Sequence, residues 1–426
     1  MKPAELIARL RAGALKCHTR LYGEDIDFQT ERYVKAVEDF ANLYGADRDV
    51  FVFSVPGRTE VSGNHTDHNH GRVLAAAIDR DVIAVASPSQ DALVRVKSEG
   101  YDEDRVDLST CTDPASVTPF KACALVAGMC GGFVKYGHKI GGFDAYTTSR
   151  VLKGSGISSS AAFEVMIGNI LNHLYNGGSV PNEEIAKIAQ YAENVYFGKP
   201  CGLMDQMACA VGGFVYIDFA DKENPKIEPI DFSLDDAGFV LSIVNTGGNH
   251  ANLNDDYASV PAEMKAVAAA LGREVLAGTT EDEILAAAPA LRESVGDRAI
   301  LRALHFVREC ARVDGIAAAL KAGDTAAFLS GILASGHSSF EYLQNVYTTI
   351  NVREQGLSLA LAVTEGALAG KGCAWRVHGG GFAGTIQAFV RAEHAADYRA
   401  KMDAVFGEGA AMVLRIRPDG AIRVEI

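Results

Sequence analysis

The sequence predicts an α+β fold in two domains, and three observations support this prediction. Strand and helix patterns are interleaved in both halves of the chain. At 426 residues, the chain is too long for one ordinary hydrophobic core. Around residues 222–229 the sequence becomes polar and carries a proline, which indicates a boundary. We therefore expect an N-terminal domain over residues 1–225 and a C-terminal domain over residues 226–426.

The N-terminal elements follow from the spacing of apolar residues. Helical periodicity runs from about residue 4 to residue 45. Residues 49–55 are rich in β-branched and aromatic side chains and predict a strand that ends at Pro56-Gly57. The same signals predict further strands at 73–78, 81–86, 93–97, 143–149 and 212–219, and helices at 120–136 and 183–196. Another helix is expected between the serines at 158–160 and a stop at Asn176-Gly177-Gly178.

The C-terminal half continues the mixture of strands and helices. Residues 239–244 form a strong strand pattern, and a long helical region follows to about residue 321. Further helices are expected at 325–335 and 355–370. The chain then reads as strand, glycine turn, helix and strand up to residue 426.

Composition excludes several classes of function. The net charge of −14 and the absence of a basic run argue against a nucleic-acid surface. The eight cysteines are scattered with no CxxC pair, which favours reduced thiols over a disulfide framework or a zinc site. No apolar run reaches the length of a membrane span, and the N-terminus lacks the apolar core of a signal peptide. We expect a cytoplasmic protein with no membrane partner.

A loop rich in glycine and serine leads directly into the helix that ends before Asn176-Gly177-Gly178. Gly154 and Gly156 permit a tight turn and a close approach of the backbone to a ligand. Ser158, Ser159 and Ser160 fit the N-cap and first turn of the helix, where amide donors remain available. The N-terminus of such a helix favours a phosphate group. An ordinary loop–helix junction capped by serine explains the pattern equally well.

The segment from Pro56 to Gly71 places many hydrogen-bonding side chains between two apolar strands. Asn64, His65 and Asp67 could bind several hydroxyl groups, as a sugar site requires. The three histidines at 65, 68 and 70 could instead bind a metal ion. A solvated turn is the third interpretation.

Two further segments carry residues that suggest chemistry. Asp205 lies between methionines and needs a partner if it is buried, and a nearby cation would keep it ionised as a base. It could equally cap the following helix. Three consecutive glycines at 379–381 follow a strand signal and permit close backbone approach to a ligand or another loop.

Together, these segments resemble the three signature motifs of the GHMP small-molecule kinases, and within that family they resemble the galactokinases. The segment at 56–71 is similar to the galactokinase signature, and Gly-Ser-Gly-Ile-Ser-Ser-Ser-Ala at 154–161 is similar to the phosphate loop. Residues 378–384 are similar to the third motif, and Cys-Gly-Leu-Met-Asp-Gln at 201–206 is typical of galactokinases. The resemblance implies a two-domain GHMP fold. Its N-terminal domain is like ribosomal protein S5, its C-terminal domain is ferredoxin-like, and the active site lies between them.

The resemblance also implies transfer of a phosphoryl group from ATP to the anomeric C1 hydroxyl of a sugar. It makes Asp205 the base, with Arg58 holding it ionised, and it assigns Mg²⁺ to Ser160 and Glu193. Backbone amides of the loop would bind the phosphates, and the loop residues concerned are Gly154, Ser155, Gly156, Ser158, Ser159 and Ser160. The positions that match sugar contacts of the family are Asn64, His65, Asp67, Gly202 and Tyr257. We expect a monomer or a weak homodimer.

The chain departs from the galactokinase pattern at one informative position. Galactokinases usually carry Gly-Glu-His-Thr-Asp-Tyr, whereas this chain has Gly-Asn-His-Thr-Asp-His at 63–68. The glutamate is expected near C6 of the sugar, so Asn64 would ease the approach of a C6 carboxylate. Galactose and a C6-modified galactose such as galacturonate both remain candidate substrates. A sugar sensor without activity, and a zinc-dependent hydrolase built on the three histidines, are the other candidate functions. Residues 59–62 also differ from the Asn-Leu-Ile type of run that the family has there.

Overall fold

The computed structural model describes residues 1–15, 19–151, 156–221, 224–248 and 253–426. Its chain forms two compact units, and each is assembled from separated segments. Unit 1 contains Met1–Arg58, Ala77–Gly213 and Arg417–Ile426. Unit 2 contains Thr59–Ala76 and Phe214–Ile416.

This division differs from two consecutive segments that meet at residues 225 and 226. The polar segment that suggested a boundary leads into a strand, Lys226–Ile230, which pairs antiparallel with Phe214–Asp218 inside unit 2. The residues between 59 and 76 also belong to unit 2, because two long strands carry the chain into that unit and back. A local change in polarity cannot reveal that residues 59–76 leave one unit for the other.

The helices of unit 1 lie in its N-terminal part and between residues 122 and 211. They are α1 (Pro3–Arg11), α2 (Thr19–Tyr22), α3 (Ile26–Tyr44), α4 (Ala122–Lys135), α5 (Ser159–Tyr175), α6 (Asn182–Tyr191) and α7 (Met204–Val211). A π-helix at Ala192–Phe197 directly follows α6. Tyr33 and Phe40 on α3 belong to a buried core that also contains Val52 and Ile83 from the sheet.

The strands of unit 1 form a mixed sheet. They are β1 (Phe51–Ser62), β2 (Arg72–Pro88), β3 (Leu93–Ser98), β4 (Glu103–Asp107), β5 (Phe143–Ser149) and β12 (Ile422–Arg423), of which β1 and β2 continue into unit 2. Their order in the sheet is β12, β1, β2, β5, β3, β4. Strands β3 and β5 run parallel, and β5 runs antiparallel to β2.

Strand β1 continues past the point where the sequence suggested its end. The prediction placed a stop at Pro56-Gly57, and it was wrong, because β1 runs to Ser62. The short strand β12 pairs with β1 only at Phe53 and Ser54. Because β12 does not reach Pro56, the missing N–H of the proline costs no pairing on that edge. Arg58 therefore lies within a strand and is held on a rigid element.

The strands of unit 2 begin with a hairpin formed by β6 (Phe214–Asp218) and β7 (Lys226–Ile230). The first residues of β2, from Arg72 to Ala76, pair antiparallel with β6. A second sheet contains β8 (Phe239–Asn245), β9 (Ala374–His378), β10 (Thr385–Arg391) and β11 (Ala411–Leu414). It is antiparallel throughout, in the order β11, β8, β10, β9.

The helices of unit 2 cover this sheet and form a helical layer beside it. They are α8 (Asn254–Ala270), α9 (Glu281–Ser294), α10 (Asp297–Lys321), α11 (Thr325–Ser338), α12 (Gly356–Leu368) and α13 (Ala395–Phe406). Leu357 and Ala360 of α12 share a buried core with Val377 and Ile386 of the sheet. Within the ranges described above, none of the helices combines the length and the apolar character needed to cross a membrane.

Candidate active site

Arg58 and Asp205 form a two-point ion pair in unit 1. Arg58 lies in β1, and Asp205 lies in the first turn of α7. Nε of Arg58 donates to Oδ1 of Asp205 at 2.6 Å, and Nη2 donates to Oδ2 at 2.7 Å. Such a bidentate pair fixes both the charge and the orientation of the carboxylate. The structure thus brings together the two residues predicted to be catalytic.

The surroundings of Asp205 hold it in its ionised form. Burial alone would raise the pKa of Asp205, but the charge of Arg58 and the hydrogen bonds from Arg58 and Ser158 lower it below its usual range. The side chain is still 31% exposed, so a ligand can reach it. An accessible and oriented carboxylate that stays ionised can accept a proton from a bound hydroxyl.

The N-terminus of α5 lies beside this pair. Ser158 occupies the N-cap position with a φ of 61°, in the left-handed region that non-glycine residues rarely adopt. Its hydroxyl does not cap the helix but donates to Oδ2 of Asp205 at 2.6 Å. The carbonyl of Gly156 accepts a hydrogen bond of 2.6 Å from Nη1 of Arg58. The Ser158 side chain therefore leaves the first amides of α5, Ser159 among them, free to bind an anion.

Two of the predicted phosphate-loop residues, Gly154 and Ser155, lie outside the described residues. Gly156, which follows them, is exposed and has a φ of 75°, so its backbone conformation favours glycine. The described part of the loop retains the exposed glycine and the uncapped helix that a phosphate site needs.

Glu193 and Ser160 form a second cluster of oxygen atoms in unit 1. Glu193 lies in the π-helix and is only 2% exposed. Its Oε1 accepts from the hydroxyl of Ser160 at 3.4 Å and from Nζ of Lys199 at 3.3 Å. Burial alone would lower the pKa of Lys199, but Glu193 outweighs it and the pKa is raised. A buried carboxylate and a hydroxyl are the hard donors that Mg²⁺ prefers, so the residues present fit that ion.

Two residues of this cluster were not predicted from the sequence. Gln206 donates from Nε2 to Oε2 of Glu193 at 2.8 Å and to Oε2 of Glu164 at 3.2 Å. Burial, followed by the charge of Glu193, raises the pKa of Glu164 well above its usual range. The available signal was Glu164 itself, a single charge within the apolar run Ala161–Ile167. Gln206 therefore fixes the orientation of Glu193.

Gly202, which is the predicted sugar residue in unit 1, lies in the segment just before α7 and is half-buried. The backbone next to it is fixed by two side chains. Cys201 donates its N–H to Oδ1 of Asn194 at 2.7 Å, and its carbonyl accepts from Gln190 at 3.2 Å. This segment therefore enters α7 in a defined position.

The turn after β1 carries three of the four predicted sugar residues of unit 2, Asn64, His65 and Asp67. A short 3₁₀-helix at Asp67–Asn69 forms its centre. Asp67 accepts the N–H of His68 at 3.0 Å, and its side chain remains 20% exposed. His65 adopts a φ of 60°, and its Nε2 lies 2.9 Å from the carbonyl of Gly380. Burial lowers the pKa of His65 to about 4, so its ring is neutral at pH 7.

Asn64 and Tyr257 are also in unit 2, and both contact other protein groups. Asn64 is fully buried and donates to Oε1 of Glu60 at 2.9 Å. The hydroxyl of Tyr257 donates to the carbonyl of Gly381 at 2.7 Å. These contacts were not predicted, because the sequence does not reveal which buried acceptors lie near a residue.

The histidines at 65, 68 and 70 gain no support as a metal site. The rings of His65 and His68 are 6.4 Å apart between centroids. In the portions of the chain that the structure describes, no group of three or more His, Cys, Asp or Glu side chains is arranged to bind a metal. The interpretation as a zinc hydrolase therefore lacks its required ligands there.

A buried histidine behind the turn makes the stability of unit 2 sensitive to acid. His305 is fully buried, and its Nε2 donates to the carbonyl of Asn64 at 3.0 Å while its Nδ1 accepts from Ser338 at 2.9 Å. Burial lowers the pKa of His305; Arg312 and Arg376 act in the same direction, whereas Glu309 opposes them. His65 shifts in the same direction.

We expect the free energy of unfolding to fall as the pH drops from about 6.5 towards 5. A histidine whose folded pKa lies below its unfolded value near 6.5 stabilises the protein above that value and loses the contribution below it. Each such histidine contributes at most about 1.4 kcal/mol per pH unit. His305→Gln should flatten the pH slope measured by urea unfolding. Replacing the exposed His337 in the same way should leave the slope unchanged, and an equal slope in all three proteins would contradict the assignment.

Comparison with known proteins shows the family of this chain. Residues 123–213 match the family described as GHMP kinases N terminal domain, and residues 38–88 match the galactokinase galactose-binding signature. A galactokinase of Streptomyces coelicolor is 34% identical over 360 residues, which is 83% of this chain and 88% of that protein. The chain belongs to the galactokinases of the GHMP kinase family. A human galactokinase is 31% identical over 397 residues, 92% of this chain and 96% of its own length.

Solved structures of this family share the fold. A Lactococcus lactis galactokinase complexed with galactose matches with a TM-score of 0.75 and 24% identity, over 91% of this chain and 98% of that one. A mevalonate kinase matches with a TM-score of 0.60 and 16% identity, over 86% and 99%. The α+β prediction with a GHMP kinase fold is thereby confirmed. As a member of the galactokinase family, the chain is a sugar kinase, an enzyme that phosphorylates an alcohol group.

Proposed function

We propose that this enzyme transfers the γ-phosphoryl group of ATP to the C1 hydroxyl of galactose. The observation that carries the proposal is the ionised carboxylate of Asp205, oriented by Arg58 and Ser158 beside the uncapped N-terminus of α5. A proton acceptor next to a phosphate-binding helix end is the arrangement that phosphoryl transfer to a hydroxyl requires. The match to a galactose-binding signature supports galactose as the sugar.

In the proposed reaction, Asp205 accepts the proton of the C1 hydroxyl. The C1 oxygen then forms a bond to the γ-phosphorus, the bond from that phosphorus to the β,γ-bridging oxygen breaks, and ADP leaves. Arg58 keeps Asp205 ionised before the transfer and offsets negative charge near it. Little covalent chemistry is needed from the protein, because positioning and charge neutralisation dominate such reactions.

The phosphates of ATP are assigned to the start of α5. Backbone N–H groups and the helix dipole favour negative charge at such an end. The described residues proposed for this role are Gly156, Ser158, Ser159 and Ser160. The proposal extends to Gly154 and Ser155 on the sequence motif alone.

Mg²⁺ is assigned to Ser160 and Glu193, which supply a hydroxyl and a carboxylate oxygen. When bound, the ion neutralises charge on the phosphates. Gln206 keeps the carboxylate of Glu193 oriented, and Lys199 provides a positive charge beside Oε1 of Glu193. These residues thereby hold the buried carboxylate of Glu193 in place.

The family pattern matches sugar contacts at Asn64, His65, Asp67, Gly202 and Tyr257, and we propose the last four as contacts in this chain. The side chain of Asp67 is partly exposed, and the neutral ring of His65 has a second nitrogen, Nδ1, beside the one that faces Gly380. Both side chains can therefore hydrogen-bond sugar hydroxyls. Asn64 differs from them because it is fully buried.

A panel of sugars assayed with ATP and Mg²⁺, coupled to identification of the product, tests the proposal. We expect galactose to give a product phosphorylated at C1 and a higher kcat/KM than galacturonate. A higher kcat/KM for galacturonate would shift the assignment to a C6-modified sugar. If no sugar is phosphorylated although galactose still binds, the chain would be a sensor and the proposed function would be wrong.

A further inference from the structure

The amide of Asn64 has its hydrogen-bonding capacity occupied inside unit 2. Its Nδ2 donates to Oε1 of Glu60 at 2.9 Å and to the carbonyl of Gly379 at 2.7 Å. Its Oδ1 accepts from Nδ2 of Asn345 at 2.6 Å and from the hydroxyl of Ser339 at 3.4 Å. A side-chain amide has two hydrogens and one oxygen with two lone pairs. With none of its surface exposed, Asn64 has no group left to offer to a sugar.

Glu60 supplies the negative charge of this cluster. Its Oε1 lies 3.2 Å from Nη2 of Arg376, and the two side chains are 8% and 0% exposed. Arg376 also donates from Nη1 to the carbonyl of Val61 at 3.0 Å. Removing one partner from a buried ion pair leaves the other charge without compensation, which is costly. The cluster therefore requires one carboxylate.

The family pattern places the carboxylate and the amide the other way round. Galactokinases usually have an asparagine in the run before the motif glycine and a glutamate directly after it. This chain has Glu60 before Gly63 and Asn64 after it, and the two side chains are hydrogen-bonded to each other. The pair thus still contains one carboxylate and one amide, with the positions exchanged.

The cluster holds the glycine turn at 379–381 through its backbone carbonyls. Asn64 donates to the first of them at 2.7 Å. The carbonyl of Gly380 lies 2.9 Å from His65 Nε2 and accepts from Asn345 at 3.1 Å. The carbonyl of Gly381 accepts from Tyr257 at 2.7 Å. Polar backbone groups away from water need partners. Residues predicted to bind sugar thus also fix this turn.

We propose that Asn64 is a positioning residue and that it does not select the sugar. With Glu60 it forms an exchanged amide–carboxylate pair that fixes the turn at 63–70 against the glycine turn at 379–381. A substitution at position 64 therefore weakens catalysis and stability together and leaves the preference between galactose and galacturonate unchanged. The sugar readout rests on the proposed function, whereas the stability readout does not.

Asn64→Asp tests the pair because it replaces the donating amide nitrogen of Asn64 with a carboxylate oxygen and hardly changes the size of the side chain. The new carboxylate would lie beside Glu60 and the carbonyl of Gly379, and like charges at this distance repel strongly. We expect kcat/KM for galactose to fall at least tenfold and the melting temperature to fall with it. The ratio of the kcat/KM values for galactose and galacturonate should stay within twofold, with galacturonate tested as a competitor if it is not turned over.

The double variant Glu60→Gln/Asn64→Asp should recover part of both losses, because it returns the cluster to one carboxylate and one amide. Glu60→Gln alone should be destabilising, since it leaves Arg376 without its carboxylate. Asn69→Asp provides the matched control: Asn69 is buried in the same turn, but its amide contacts Leu276 and Met264. Adding Glu60→Gln to Asn69→Asp should restore nothing.

Two results would overturn the proposal. One is an Asn64→Asp protein with unchanged stability and galactose turnover but weakened use of galacturonate, which would place Asn64 at the sugar. The other is a failure of Glu60→Gln to restore Asn64→Asp, measured as soluble yield if the single variant does not fold. If the wild type phosphorylates no sugar, the proposed function alone fails. The melting temperatures of the wild type, Asn64→Asp, Glu60→Gln and their double variant still test the pair.

Discussion

Asp205→Asn is expected to lower kcat for sugar phosphorylation by about 10³-fold, since a positioned general base contributes roughly 10²–10⁴-fold. The asparagine keeps nearly the same shape but cannot accept the proton of the C1 hydroxyl. It also removes the charge that Arg58 contacts at 2.6 and 2.7 Å. The loss should appear mainly in kcat, because the change removes an interaction with the transferred proton. Initial rates over a range of galactose and ATP concentrations measure the effect.

Three controls separate lost chemistry from lost structure. The melting temperature of Asp205→Asn should remain within a few degrees of the wild type, and binding of a non-hydrolysable ATP analogue should persist. Asp102→Asn makes the same chemical change at an exposed position of unit 1 and should leave turnover unaltered. Turnover by Asp205→Asn near the wild-type rate would contradict its role as the base.

The elements of the fold were predictable where local patterns determine them. Helix α5 begins at Ser159 and ends at Tyr175, as its serine-rich start and the following Asn-Gly-Gly predicted. The course of β1 past Pro56 was not predictable, because it depends on how far the distant strand β12 pairs along it. The same holds for the division into units, since residues 59–76 join a unit whose other residues begin at Phe214.

The candidate site shows a similar limit. The resemblance to galactokinases predicted that Arg58 and Asp205 act together, and the structure places them in contact. The partners of Asn64 were not predictable, because Asn345 and Gly379 lie far along the chain and no local pattern connects them. The sequence pattern assigned Asn64 to the C6 end of the sugar, whereas in the structure its side chain is buried and hydrogen-bonded to other protein groups.

A second buried charge cluster, in unit 1, determines stability and not chemistry. Asp81 is fully buried, and its Oδ1 accepts from Arg32 at 2.5 Å. Its Oδ2 accepts from Tyr22 at 2.6 Å and Ser54 at 2.5 Å, and lies 3.3 Å from Nη1 of the fully buried Arg417. Burial alone would raise the pKa of Asp81, but Arg32 and Arg417 outweigh it and the pKa is lowered. One carboxylate therefore compensates two guanidinium groups.

Asp81→Asn should lower the free energy of unfolding by about 3–5 kcal/mol, the usual cost of removing one partner from a buried ion pair. The asparagine preserves the volume, so the loss comes from the charge of Arg32 and Arg417 and not from a cavity. Urea unfolding followed by circular dichroism measures the effect. For a unit of this size, each kcal/mol corresponds to about 2–4 °C in melting temperature.

Glu38→Gln is the matched control, because it neutralises a carboxylate of unit 1 that pairs with Arg11 at the surface. The two side chains are 46% and 59% exposed, and such pairs contribute at most about 1 kcal/mol.

The folded pKa of Asp81 is depressed, so its contribution to stability is present above about pH 4 and is lost as the pH falls further. The difference in stability between Asp81→Asn and the wild type should therefore be full at pH 7 and smaller near pH 3. An effect of Asp81→Asn no larger than that of Glu38→Gln would show that the guanidinium groups find other compensation, such as the carbonyls of Asp419 and Gly420 that Arg417 already contacts.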